Sequence, residues 1–191
     1  MRADLTKMGP IQSSFLNIEK DTETILRKLF IESRPYSDDL KSLLIVNTPD
    51  CLDNRAKYQS QLEKMSLKDI KDVYILTNPK IPFGEHEEVK SYIVIHFGNF
   101  TPNATNPQYR DCLISFDVIC HTDYWDLGDY RIRPLKIIGY LDGILNECRL
   151  SGIGTLNFAG CNELLISPDL SGYTLTYKAI HGSDDKIPSK D

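Results

Sequence analysis

DCLISFDVICHTD (111–123), YWDLGDYR (124–131), RPLKIIGYLDGILNECRL (133–150) and GTLNFAGCNELLISPDLSGYTLTYKAIHG (154–182) lie almost end to end, and their periodicities decide the fold. The first alternates with period two. Cys112, Ile114, Phe116, Val118 and Cys120 form a core face, and Leu113, Ser115, Asp117, Ile119 and His121 form a mixed face. Such a face is either half-solvated or set against another subunit. The third stretch is helical, with Pro134 in its first turn. Leu135, Ile137, Ile138, Tyr140, Leu141, Ile144, Leu145 and Cys148 cover well over half its circumference. A helix this apolar is covered on more than one side, by its own sheet and, economically, by a neighbouring subunit. Gly139 and Gly143 each weaken it by about 1 kcal/mol relative to alanine, which predicts close packing of helix on sheet. Ser151-Gly152-Ile153-Gly154 reads as the helix stop. The last stretch is a hairpin, connected at 168–172, in which Tyr173, Leu175, Tyr177 and Ala179 share one face.

Working toward the N-terminus, VKSYIVIHF (89–97) is a strand with Ile93, Ile95 and Phe97 on one face and Tyr92, Val94 and His96 on the other. Residues 98–109 (GNFTPNATNPQY) form a long polar loop of the functional or mobile kind. Residues 78–88 form another loop. Val73 to Leu76 is a short strand. Thr48-Pro49 opens a helix over 49–64, Leu40 to Val46 is a strand or a helical turn, and 67–71 is ambiguous. A helix over 21–33 carries Ile25, Leu26, Leu29 and Phe30 as one stripe, is capped by Asp21 or Thr22, and stops before Pro35. The fold class is therefore α+β: a mostly antiparallel sheet of four to five strands packed against two main helices. One domain spans 21–182 with an insertion around 37–88, preceded by an arm (1–20) and followed by a polar tail (183–191).

The chain of 191 residues is 41% hydrophobic and 26% charged, the balance of a soluble globular protein. Its net charge of −5, with both signs mixed along the chain, argues against a broad grip on duplex DNA. The five cysteines, Cys51, Cys112, Cys120, Cys148 and Cys161, form no C-x-x-C pair and read as reduced thiols, most of them buried. No stretch has the pattern of a signal peptide or the length of a membrane span.

Chemistry-bearing constellations are sparse. Asp117 and His121 share a strand face, and antiparallel pairing brings His96 near them, which makes a candidate metal set of two imidazoles and a carboxylate. His86 and His181 have no fixed relation to it. There is no nucleophile elbow and no local Cys-His signature. Tyr124, Trp125 and Tyr130 beside Asp123, Asp126 and Asp129 make an aromatic-acidic loop suited to a protein partner.

The strand FDVICHTD, the helix opened by an Arg-x-Arg loop (Arg131, Arg133) and the hairpin ending TLTYKAIHG cover about a third of the chain. In that order they resemble the tail terminator, or tail-completion, proteins of the head–tail junction of tailed bacteriophages. The resemblance implies a structural virion protein made in the host cytoplasm, with no enzymatic activity and no cofactor. It implies a homo-oligomeric ring, six-fold by expectation, that caps the tail tube protein and meets a head connector or stopper protein. DNA would pass through the lumen without sequence-specific contact, and no membrane is involved. A ring needs two different sticky faces on one subunit. The expected subunit or partner contacts are Tyr124, Trp125, Asp126, Asp129 and Tyr130, Asn103 from the 98–109 loop, and Ile137 and Tyr140 from the helix. Two alternatives stand beside this: a small metal-dependent hydrolase using His96, Asp117 and His121, and a monomeric adaptor binding through 98–109 and 124–131.

Overall fold

A computed structural model describes residues 18–77, 91–105 and 109–181. Helix α1 (Ile18–Arg27) runs into a π-helical turn (Lys28–Glu32), and α2 (Tyr36–Ile45), α3 (Arg55–Lys64) and α4 (Leu67–Tyr74) follow. Strands β1 (Ile75–Leu76), β2 (Ser91–Pro102) and β3 (Arg110–His121) precede α5 (Arg133–Leu145). The chain then forms β4 (Arg149–Leu150), β5 (Gly154–Thr155), β6 (Asn157–Leu165) and β7 (Leu170–His181). The main sheet has the order β1-β2-β3-β7-β6, parallel only between β1 and β2, and β4 and β5 make a small second sheet.

The class is α+β as the patterns predict, but the described residues hold five α-helices, not two. The expected insertion around 37–88 supplies three of them, and Leu40, Leu43, Leu44 and Ile70 join the same core as Ile25, Leu29 and Phe30. The apolar pattern of 67–71 is ambiguous, yet Ser66-x-x-Asp69 marks the start of α4. The Ser66 hydroxyl accepts from the Asp69 amide, and the Asp69 carboxylate accepts from the Ser66 amide, a capping box that satisfies two end donors.

The core face of β3 is as expected, with Cys112, Ile114, Phe116, Val118 and Cys120 all buried against Ile93 and Ile95 of β2 and Leu175 and Tyr177 of β7. Helix α5 lies on this face through Ile137, Leu141, Ile144 and Leu145, each contributing about 1.5–3 kcal/mol of transfer free energy. The second covering of α5 comes from α2 of the same chain, so the excess of apolar residues is largely satisfied within one copy. Gly139 and Gly143 correct the packing expectation. Both are exposed, and a Cβ on either would meet nothing within 4 Å.

Three further boundaries move. Helix α5 ends at Leu145, and Glu147 takes a left-handed φ of 57°, so the predicted last turn is absent. Ser151 to Ile153 is the turn between β4 and β5, with Gly152 and the first β5 residue, Gly154, at φ 81° and 75°; the stretch is not a helix stop. The predicted 98–109 loop starts later: residues 98–102 belong to β2, the Asn103 amide donates to the Tyr109 carbonyl (3.0 Å), and 106–108 lie outside the described residues. The predicted 78–88 loop, His86, most of the 1–20 arm and the 183–191 tail lie outside the described residues.

Cys51, Cys112 and Cys120 are buried, Cys148 is half-buried and Cys161 is exposed on β6. Burial pushes the Cys112 and Cys120 thiols up to about 11. Since the thiolate is the reactive form, iodoacetamide under native, mildly alkaline conditions is expected to alkylate Cys161 and, more slowly, Cys148. The other three should react only after denaturation. Peptide mass mapping checks this, and native labelling of Cys120 would contradict the burial of β3.

Candidate functional site

The Thr122–Ile132 segment crosses from the end of β3 to the start of α5, and its aromatic residues separate into two groups. Trp125 is turned inward. Its indole Nε1 donates to the Cys120 carbonyl (3.3 Å), and its ring lies 6.4 Å from that of Tyr173. Tyr124 is half-buried with its ring against His121. Leu127 is buried and pins the segment from below. Tyr130 is the opposite case, with its whole side chain in solvent (relative exposure 105%). Asp126 and Asp129 flank it, also exposed.

This tip is a built turn. The Gly128 amide donates to Asp126 Oδ1 (2.7 Å), the Arg131 amide to the Gly128 carbonyl (2.9 Å) and the Leu127 amide to the Arg131 carbonyl (3.0 Å). Gly128, Asp129 and Tyr130 all have positive φ (74°, 48° and 63°). For Asp129 and the bulky Tyr130 this conformation costs about 1 kcal/mol or more each, and it persists only where the surroundings over-determine it. Arg131 supplies the brace. Its guanidinium donates bidentately to Asp53 (2.9 and 2.6 Å) and to the Leu127 carbonyl (3.1 Å). The same pair holds the Asp53 carboxyl below its usual range. The result is a rigid acidic knob with one aromatic side chain at its summit, the composition of an interface anchor.

Other expected contact residues fall elsewhere. Ile137 is fully buried in the core. Tyr140 is half-buried, donates to Asp39 Oδ2 (2.9 Å) and lies 6.1 Å from the Tyr36 ring, tilted by 43°. Asn103 is engaged in its own hairpin, donating to Asp111 (2.7 Å) and accepting from the Thr105 amide (3.0 Å).

Of the hypothetical metal set, the structure brings two members together. His96 Nε2 lies 2.6 Å from Asp117 Oδ2, and Thr174 donates to Asp117 Oδ1 (2.7 Å), a polar row across β2, β3 and β7. Ser115 and Thr176 pair beside it (3.0 Å). His121 belongs elsewhere, with Nδ1 accepting from the Asp123 amide. Among the described residues no three His, Cys, Asp or Glu side chains are gathered to hold a metal ion. The row links neighbouring strands as cross-strand pairs do.

A second exposed surface is β6. No described strand pairs with its outer edge, where the Phe158 amide donates to Asn146 Oδ1 (3.2 Å). Phe158 and Leu165 are 52% and 81% exposed. The strand carries one charge, Glu163, and none of the lysines or prolines that usually blunt an edge. Sequence reading placed the hairpin but could not say which of its strands lay outermost. No helix among the described residues is long and apolar enough to cross a membrane. A family model, YomW, matches residues 37–179. No curated protein matches the chain.

Proposed function

The chain belongs to the YomW family and is phage-related, and from that footing we propose that it is a structural virion protein that forms a ring at the head–tail junction, capping the tail tube and meeting the head connector. The observation that carries this reading is the pair of unlike exposed surfaces on one copy. The Tyr130 knob and the open edge of β6 differ in shape, charge and chemistry. Unlike exposed surfaces suit a subunit that meets unlike neighbours: a heterologous contact between copies makes a ring where the rotation closes, and a second surface stays free for the tube or the connector. The mildly acidic balance, −5 overall, suits a lumen that DNA traverses without adhering.

Negative-stain microscopy of the purified protein, alone at high concentration and mixed with tail tubes, tests the proposal. Rings or caps on tube ends are expected. Single particles that ignore the tubes at every concentration would remove the ring and favour the monomeric adaptor.

A further inference from the structure

We propose that the Tyr130 knob of one copy seats in a groove on α5 of the next copy, so that this contact is the seam of the ring. The inference rests on the ring assembly proposed above and names its interface.

The groove is a cavity of about 350 Å³ lined by Tyr36, Lys136, Gly139, Tyr140 and Gly143. It exists because two helical positions carry no side chain, and among the described residues nothing lies within 4 Å of a Cβ placed at either. Its aromatic wall is fixed: Tyr140 is held by Asp39, which is in turn ion-paired with Arg55. Tyr36 stands half out of the surface beside it.

The knob matches the groove in three respects. Tyr130 brings one phenol ring to a cavity walled by two others, and tilted aromatic contacts are favourable beyond their burial. The charges are complementary: Asp126 and Asp129 flank the ring, and the exposed Lys136 lines the groove. The fit needs little ordering, because the Arg131 brace already holds the knob in one shape. A knob on one copy and a groove on another are different surfaces, so each contact leaves one knob and one groove free to propagate.

The test uses two single variants of the full chain, Tyr130→Ala and Gly139→Leu, both at exposed positions where folding survives, as circular dichroism will verify. Sedimentation velocity is run on each alone and on an equal mixture. Wild type is expected to assemble. Each variant alone should associate at least tenfold more weakly, in line with loss of an interface anchor. The mixture should form a species of two chains and nothing larger, because the knob retained by Gly139→Leu fits the groove retained by Tyr130→Ala and no further contact remains. If wild type assembles and either variant assembles equally well, the seam lies elsewhere and the ring stands. A mixture that stays single while wild type assembles also overturns the pairing. Wild type that never assembles, with or without tail tubes, ends both the ring and its seam.

Discussion

Gly172→Ala is expected to destabilise the protein by about 3–5 kcal/mol, at the upper end of what one added methyl group does. Gly172 sits opposite Ile119 in the β3–β7 ladder, at the centre of the sheet. A Cβ there would overlap the Val118 carbonyl oxygen and stand 2.9 Å from the Val118 carbonyl carbon and 3.3 Å from the Ile119 Cα. These are backbone atoms of the partner strand, so no rotamer change relieves the overlap. The strands must separate locally and lose ladder hydrogen bonds. For a chain of this size the midpoint of thermal unfolding should fall by roughly 10 °C or more. Gly160→Ala is the control, since a Cβ there meets nothing within 4 Å. It should shift the midpoint by no more than a degree or two. Equal midpoints for the two variants would refute the close approach of β3 and β7.

Arg133→Met is expected to cost a similar amount, about 3–5 kcal/mol, for a different reason. The Arg133 side chain is fully buried, yet no carboxylate is among its described hydrogen-bond partners. Nε donates to the Tyr124 carbonyl (2.8 Å), Nη1 to the Leu43 and Val46 carbonyls (2.6 and 2.9 Å), and Nη2 to the Thr48 carbonyl (2.8 Å). Leu43 and Val46 belong to the last turn of α2 and the residue after it, where orphan carbonyls and the negative end of the helix dipole favour a cation. Methionine fills much of the same space but leaves buried acceptors unmet, each costing about 1 kcal/mol or more. Lysine should recover only part of the loss, because a compact ammonium cannot span acceptors arranged for a planar fork. Arg131→Ala is the contrast. Its pair with Asp53 is solvent-exposed on the carboxylate side, so its loss should cost much less than that of Arg133. Urea unfolding of the three variants gives the ranking, and Arg133→Met within 1 kcal/mol of wild type would refute the clamp.

The Arg-x-Arg segment shows where sequence reading reaches its limit. Its position at the opening of α5 is visible in the chain, but the division of labour between the two arginines is not. Arg133 contacts carbonyls 85 to 90 residues away, and carbonyls carry no side-chain signature. The alternation of β3 was legible because both of its neighbours bury the same face. The end of α5 was not, because Asn146 and Glu147 look helical and the turn that replaces the last helical residues is fixed by β4 pairing with β5. The aromatic-acidic loop was legible as a candidate contact, but composition could not separate Trp125, tucked against Tyr173, from Tyr130 at the tip. By sequence Gly172 falls in the hairpin connection, since a glycine after Pro168-Asp169 looks like a turn. Only the register places it inside β7.

His181 Nδ1 lies 2.9 Å from Asp21 Oδ2, with both side chains buried. Asp21 precedes the span shared with the family, and His181 follows it. The clasp brings the two ends of the described chain to one place, one helical turn from Ile18 and directly at the close of β7. Helix α1 and strand β7, at opposite ends of the described chain, are thus joined by one buried contact, so a change at either Asp21 or His181 reaches both elements at once.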